Sequence, residues 1–491
     1  MNPLFLTLVL LLCVSADPFD ALATQQPPNV VVVITDDQGW ADIGYNNSAV
    51  YTPNMDRLAR EGVILKQHYV MPQCTPTRIA FFTGRYPSRF GTVGLQATNQ
   101  QVFPKDTFNV ARLMKAAGYE TALIGKWHMG SSLEFGPNHY GFDYSYGSFT
   151  GAVGNYDHRY RKGKYEVNWH RNHKFFADHE NGTHTTDLVA EDAIRFIKKK
   201  RDKPFFLYLP FHAPHTPLDE RGEFVDVPTQ RDPENPSRWL NEAKIKWFQD
   251  PDSKIQQEPD PEKRLYLAVL HHLDDAIGKV VDALDESGQR KNTLLLFSSD
   301  NGPQVSWGGN AYPDDLKLKN FNQPDKLRGQ KCDVWEGGIH VPGFANWPGK
   351  IEPGREINQP VHIVDWLPTL AKITNQSVPK EIELDGRDLS LLLLDRENED
   401  PNEYPARDFY WVWSNKLNRW AVRSGDWKIV KYGKGDPQLE DWKIFNVVDD
   451  PEEKIDLSTS EPNRVQQLHD LFLQHRSKDK LSASKPDEIL D

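Results

Sequence analysis

The stretch Asn29–Asp37, NVVVVITDD, decides the architecture. Valine and isoleucine in unbroken succession leave no polar face. Such a run is expected to be a strand buried on both sides, as in a parallel sheet covered by helices. It closes on two aspartates, and ligands of open α/β sheets gather beyond the carboxyl ends of the strands. Three later segments repeat a helix-then-strand order: TFNVARLMKAAGYETALIGKWH (107–128), TTDLVAEDAIRFIKKKRDKPFFLYLPFHAPH (185–215) and RLYLAVLHHLDDAIGKVVDALDESGQRKNTLLLFSSDNG (264–302). In the last, Leu267, Leu270, Ile277, Val281 and Leu284 fall at helical spacing. The expected fold is α/β: a large mixed, mainly parallel sheet flanked by helices.

The remaining segments are read outward from that core. A helix is expected from Pro53, with Thr52 as its cap. From about Ile373 the character changes. WAVRSGDWKIVKYG (420–433) and DWKIFNVVDDPEE (441–453) read as Trp-rich antiparallel strands, followed by a helix near Pro462–Gln474. They define a smaller C-terminal α+β unit with an antiparallel sheet. The expected division is a signal peptide at 1–23, a catalytic unit at 24–372 and the C-terminal unit at 373–491. Pro217–Pro261 is polar and proline-rich, a long surface excursion beside the site.

Composition bounds the function. The chain has 491 residues, 38% hydrophobic, with a formal net charge of -12. That suits a large soluble core and argues against nucleic acid as a partner, which wants a basic surface. Leu4–Val14 is an apolar run too short to span a bilayer, followed by small residues, with cleavage expected after Ala16 or Ala23. No other run is long enough to span a membrane. The implied location is secreted or periplasmic, or lysosomal or ER in a eukaryotic host. Cys13 in that run is a candidate lipid-anchor position. Beyond it stand only Cys74 and Cys332, for which one disulfide is the plain structural reading. Sequons occur at Asn46, Asn181 and Asn375.

The strand ends carry two chemical sets. Asp36, Asp37, Asp300 and Asn301 offer oxygen donors suited to a hard cation, Ca2+ or Mg2+. "DD" and "DNG" are also ordinary turn sequences, and only their shared place at strand ends favours metal. Arg78, Lys126, His128, His215 and Lys331 form a cationic set suited to a tetrahedral oxyanion. Together they point to phosphate or sulfate ester chemistry. Which ester, and what Cys74 does, the residues alone leave open.

A family resemblance closes part of that gap. CTPTRIAFFTGR (Cys74–Arg85) resembles the C-x-P-x-R signature of the type I sulfatases, within the alkaline phosphatase superfamily. GYETALIGKWH (Gly118–His128) looks like their second signature, and HAPHTP, SSDNG and GQK...WEGG follow in family order. Gln73 stands where the family more often has an apolar or small hydroxyl residue. The resemblance implies that Cys74 is oxidised to Cα-formylglycine by a formylglycine-generating or sulfatase-maturating enzyme, with Pro76 and Arg78 in the recognition motif. It implies Ca2+ on Asp36, Asp37, Asp300, Asn301 and residue 74, with Lys126 and Lys331 clamping sulfate. A hydrate hydroxyl would attack sulfur, His215 (or Lys331) would protonate the leaving alcohol, and His128 would deprotonate the second hydroxyl so that sulfate is expelled. Cys332 would then lack a disulfide partner. His212 receives no role from the resemblance. The expected substrate is a sulfated carbohydrate. The alternatives are a phosphonate or phosphate monoester hydrolase of the same superfamily, and a noncatalytic binder of sulfated glycans.

Overall fold

A computed structural model describes residues 27–94, 101–160, 167–176, 180–220, 231–240, 242–249, 254–305, 327–394, 407–414 and 418–480. The signal-peptide run and Cys13 lie outside them, as do 221–230, 241 and 250–253 of the Pro217–Pro261 segment.

Asn29–Thr35 forms the centre of a ten-stranded sheet, every residue of it buried. It pairs in parallel with Phe205–Pro210 on one side and Thr293–Ser299 on the other. Glu120–Ile124 and Tyr144–Ser148 continue the parallel run. Beyond Thr293–Ser299, Gly343–Asn346 pairs antiparallel, then Val63–Leu65 and Arg355–Ile357; Trp169–Arg171 and Lys174–Phe175 finish the opposite edge. The valine run serves both faces by alternation. Val30, Val32 and Ile34 join the core that holds the Cys74–Thr83 helix, while Val31 and Val33 pack under the helices Thr185–Lys198 and Pro261–Glu286. Period-two alternation in an all-apolar strand thus builds two cores at once.

Thr52 precedes the Pro53–Arg60 helix, as expected, but its side chain does not cap it. Its hydroxyl accepts from the Gly44 amide at 2.8 Å and donates to Asp56. Asp274, from the long helix, takes the Asn54 and Met55 amides at 3.0 and 2.8 Å instead. A carboxylate from a tertiary neighbour satisfies the first-turn donors that a local threonine would otherwise take.

The C-terminal strands Asp408–Trp413, Asn418–Ser424, Trp427–Gly433 and Lys443–Asn446 form a four-stranded antiparallel sheet. The helix Pro462–Ser477 covers it through Val465, Leu468 and Phe472. The sheet shares the core of the Cys74 helix, and the Trp411 indole donates to the Val70 carbonyl at 2.9 Å. Among the described residues no helix is long and apolar enough to cross a membrane.

A buried knot of charge ties the segment after His215 to the helical layer. His272 lies 3.1 Å from Glu220 and 3.2 Å from Asp187. Burial disfavours its imidazolium, but Glu220 and Asp187 more than offset this and raise its pKa to about 9. A raised pKa stabilises the fold fully below about pH 6.5, the ordinary value, and the contribution is lost as pH rises through about 9. His272→Gln is therefore expected to lower unfolding free energy by roughly 3 kcal/mol at about pH 6.5. Urea unfolding of both proteins should show the gap narrowing towards about pH 9.5; a gap independent of pH would contradict this.

Candidate active site

Four strands of the parallel run deliver side chains to one end of the sheet. Asp36 and Asp37 follow Asn29–Thr35, Lys126 and His128 follow Glu120–Ile124, His215 follows Phe205–Pro210, and Asp300 and Asn301 follow Thr293–Ser299. Cys74 is the first residue of its helix, after Gln73 in extended conformation, and is 2% exposed. Burial pushes its thiol pKa up, while Lys126 and Lys331 pull it down. Lys331 reaches the same place from the loop before Glu336.

The two sets expected from sequence interlock. Asp36 pairs with Lys126, Asp37 with Lys331 at 2.7 Å, and Asp300 with Arg78 at 2.7 Å. Arg78 also donates to the Lys126 carbonyl at 2.9 Å. Asn301 Nδ2 donates to Asp37 Oδ1 at 2.7 Å, and the Asp37 amide to Asp300 Oδ1 at 3.2 Å. Asp37 itself has φ 64, a left-handed conformation that Asp tolerates. All ten expected site residues stand together at this end of the sheet, tied through these pairs, the charges that act on Cys74 and His128, and His215 beside Asp37.

Donors remain for a cation. Asp36 Oδ1 and Asn301 Oδ1 are buried without a hydrogen-bond partner among the described residues. Donor atoms of Asp36, Asp37 and His215 lie within 4.8 Å of one another. The set read from sequence as purely oxygen thus has a nitrogen beside it, His215 Nε2, 3.6 Å from Asp37. A second group of metal-type donors, His184, Glu220 and His272, is the knot described above. There the Thr186 amide donates to His184 Nδ1 at 3.1 Å, so the ring proton sits on Nε2 facing Glu220. That tautomer leaves His184 no lone pair on Nε2 for a metal, and the ion pairs of the group are those of His272.

The two candidate acid–base histidines are held differently. His215 Nδ1 donates to the Thr216 carbonyl at 2.6 Å, and its Nε2 lies 3.6 Å from Asp37. Burial and Lys331 lower its pKa against the pull of Asp37. His128 has φ 55 and a pKa held well below the ordinary value by burial, then Lys126, Arg78 and Lys331. Its carbonyl accepts from Thr75 at 3.0 Å, which joins the His128 loop to the Cys74 helix. A methyl group on Gly151 would lie 2.3 Å from the His128 ring, so glycine is required there for the ring to sit where it does.

Two features were not legible as site features in the sequence. His212, three residues before His215, bonds Ser148 Oγ at 2.6 Å and stacks on Trp169; the H-A-P-H spacing was its only signal. Gln73 accepts from the Trp413 indole at 2.8 Å, a contact across 340 positions with no sequence signal. Cys74 and Cys332 are both free thiols, so the disulfide reading of the pair is not borne out. Trp127, Trp169, Trp239, Trp347, Trp366 and Trp411 are fully buried and pack the core, so they are not available to stack on a sugar.

The sulfatase family profile matches residues 28–376, most of the chain. The chain belongs to the sulfatase family. A second profile, of the N-sulphoglucosamine sulphohydrolase C-terminal region, matches residues 330–478 and so spans both Lys331 and the antiparallel sheet. Mouse arylsulfatase J is 30% identical over 92% of this chain and 76% of its own length. Dog N-acetylgalactosamine-6-sulfatase is 28% identical over 83% of this chain and 76% of its own. Among solved structures, Ps i-CgsB in complex with k-i-k-neocarrahexaose aligns with a TM-score of 0.76 and 28% identity, over 94% of this chain and 96% of that one. The sulfatase fold and its relatives make this chain a hydrolase of sulfuric esters.

Proposed function

We propose that the chain is an exported sulfatase acting on sulfated carbohydrates, with residue 74 in its formylglycine form and Ca2+ at the adjoining carboxylates. The observation that carries this is the convergence of three carboxylates and three cations on the buried N-terminus of the Cys74 helix, paired one to one. That set is close to neutral. A divalent cation added to it leaves an excess of positive charge, which suits an anionic ester.

Asp36, Asp37, Asp300 and Asn301 would hold the cation, and the unpartnered oxygens of Asp36 and Asn301 support that assignment. When present, the cation and the aldehyde hydrate of residue 74 supply Lewis acidity and an activated oxygen nucleophile. Lys126 and Lys331 bind the sulfate oxygens. Arg78, fully buried, pairs with Asp300 and supports residue 74. His215, once protonated at Nε2 in the substrate complex, gives that proton to the leaving alcohol, while its Nδ1 proton stays on the Thr216 carbonyl. His128, kept neutral by burial and neighbouring cations, receives a proton. Residues 24–372 are assigned to catalysis and 373–491 to the C-terminal unit. Export rests on the Leu4–Val14 run and the small residues after it.

A carbohydrate substrate is supported by the oligosaccharide bound to Ps i-CgsB and by the sugar sulfate named for the dog relative. A panel of defined sulfated oligosaccharides, an aryl sulfate, an aryl phosphate and an aryl phosphonate tests the reading. Sulfate release from at least one oligosaccharide is expected. Preference for the phosphorus esters, or turnover of the aryl sulfate alone, would refute it.

Removal of divalent cations is expected to lower both activity and the unfolding temperature, because Asp36, Asp37 and Asp300 crowd one buried site. Ca2+ should restore both more fully than Mg2+ does, since a site of several carboxylates suits the larger ion. Chelation without effect on either readout would remove the metal from the proposal.

A further inference from the structure

Two segments distant in sequence, 72–74 and 331–333, meet at the site, and one hairpin of the C-terminal sheet grips both. Trp413 donates its indole N–H to Gln73 Oε1 at 2.8 Å in a buried position. Gln73 is the residue that launches the Cys74 helix. Directly across the hairpin from Trp413 stands Arg419. Its guanidinium lies 4.6 Å from the Trp413 ring centre, pairs with Asp333 at 2.8 Å and donates to the Cys332 carbonyl. The Cys332 amide in turn donates to the Pro72 carbonyl at 2.6 Å, which closes the circuit.

Cys332 needs such support. Its φ of 70 is a left-handed conformation unfavourable for a residue with a Cβ, held only when surroundings impose it. That turn aims Lys331 at Asp37. Tyr432 adds a brace, with its hydroxyl 3.2 Å from Asp333.

We propose that Trp413 and Arg419 are positioning residues: the indole sets residue 74 through Gln73, and the guanidinium sets Lys331 through the Cys332 carbonyl. This rests on the roles proposed above for residue 74 and Lys331, and it extends the reaction's machinery into the C-terminal sheet. It also gives Gln73 a function. An apolar or small hydroxyl side chain there would not reach the indole as an acceptor.

The two arms make separable predictions. Trp413→Phe keeps the ring under Arg419 and removes only the donor. It is expected to lower kcat about 10-fold with KM within about 2-fold, because the nucleophile is displaced but the sulfate clamp is not. Arg419→Gln is expected to raise KM, and the inhibition constant of inorganic sulfate, by about 10-fold, with Arg419→Lys recovering part of the loss. Rates are divided by the fraction of residue 74 converted, measured by mass spectrometry. Wild-type values of kcat, KM and sulfate inhibition in both variants would overturn the proposal. So would a smaller active fraction with those constants unchanged, which is the signature of a merely structural role. Cys74→Ala serves as the control. If it retains activity, the reading of residue 74 fails; if it is inactive while both variants match wild type, only the positioning proposal fails.

Discussion

Cys74→Ala is expected to lower kcat for sulfate ester hydrolysis by at least ~10³-fold, while leaving the fold intact. The side chain is buried at the head of its helix and forms no disulfide, so alanine removes little packing. What it removes is the only side chain in the Cys-x-Pro-x-Arg motif that the proposed oxidation can act on. Cys74→Ser sharpens the test. Serine keeps one oxygen nucleophile but lacks the second hydroxyl that lets sulfate leave, so a single turnover or none is expected. Mass spectrometry of the peptide containing residue 74 reads the modification directly. Wild-type turnover by either variant would exclude residue 74 as the nucleophile.

Arg78→Leu carries the second large effect, on stability as well as rate. Arg78 and Asp300 are both fully buried and 2.7 Å apart. Removing the guanidinium leaves Asp300 as an uncompensated buried charge, a loss of about 3–5 kcal/mol. Burial already raises the Asp300 pKa, with Asp36 adding to it, and Arg78 is the first of the cations opposing that rise. Activity should fall about 10²–10³-fold, the scale seen when one donor to a developing oxyanion is lost. The double variant Arg78→Leu, Asp300→Asn should recover most of the stability, because neither charge is then stranded, but none of the activity. Urea unfolding and sulfate release separate the two. A cost below about 1 kcal/mol in the single variant would show that the buried pair does not hold the fold together.

Local signals carried the central architecture. An apolar run of strand length bounded by turn residues has few alternatives in a long chain, and NVVVVITDD takes the one expected. The alternation of amphipathic helices with such runs implied a parallel sheet, and the rule that ligands collect at strand ends then selected Asp36, Asp37, Lys126, His128, His215, Asp300 and Asn301 without reference to their chemistry. The cap of Pro53–Arg60 shows the limit of such reasoning. Thr52 has the right type and place for a cap, yet Asp274, far along the chain, takes the amides. Capping depends on which acceptor is nearest in space, and local sequence does not record that.

The site divides in the same way. The types of its residues, their order and their motif spacing are properties of the chain, and they suffice to suggest ester hydrolysis at a cation. The one-to-one pairing of Lys126, Lys331 and Arg78 with Asp36, Asp37 and Asp300, the tautomer of His215, and the grip of Trp413 and Arg419 on Gln73 and Cys332 are not. Periodicity and motif are local, set by neighbours within a few residues, so sequence alone determined the class of the sheet and the list of candidate groups. Charge pairing, burial and hydrogen-bond direction depend on atoms that meet only after the sheet has closed, and these the tertiary structure decided.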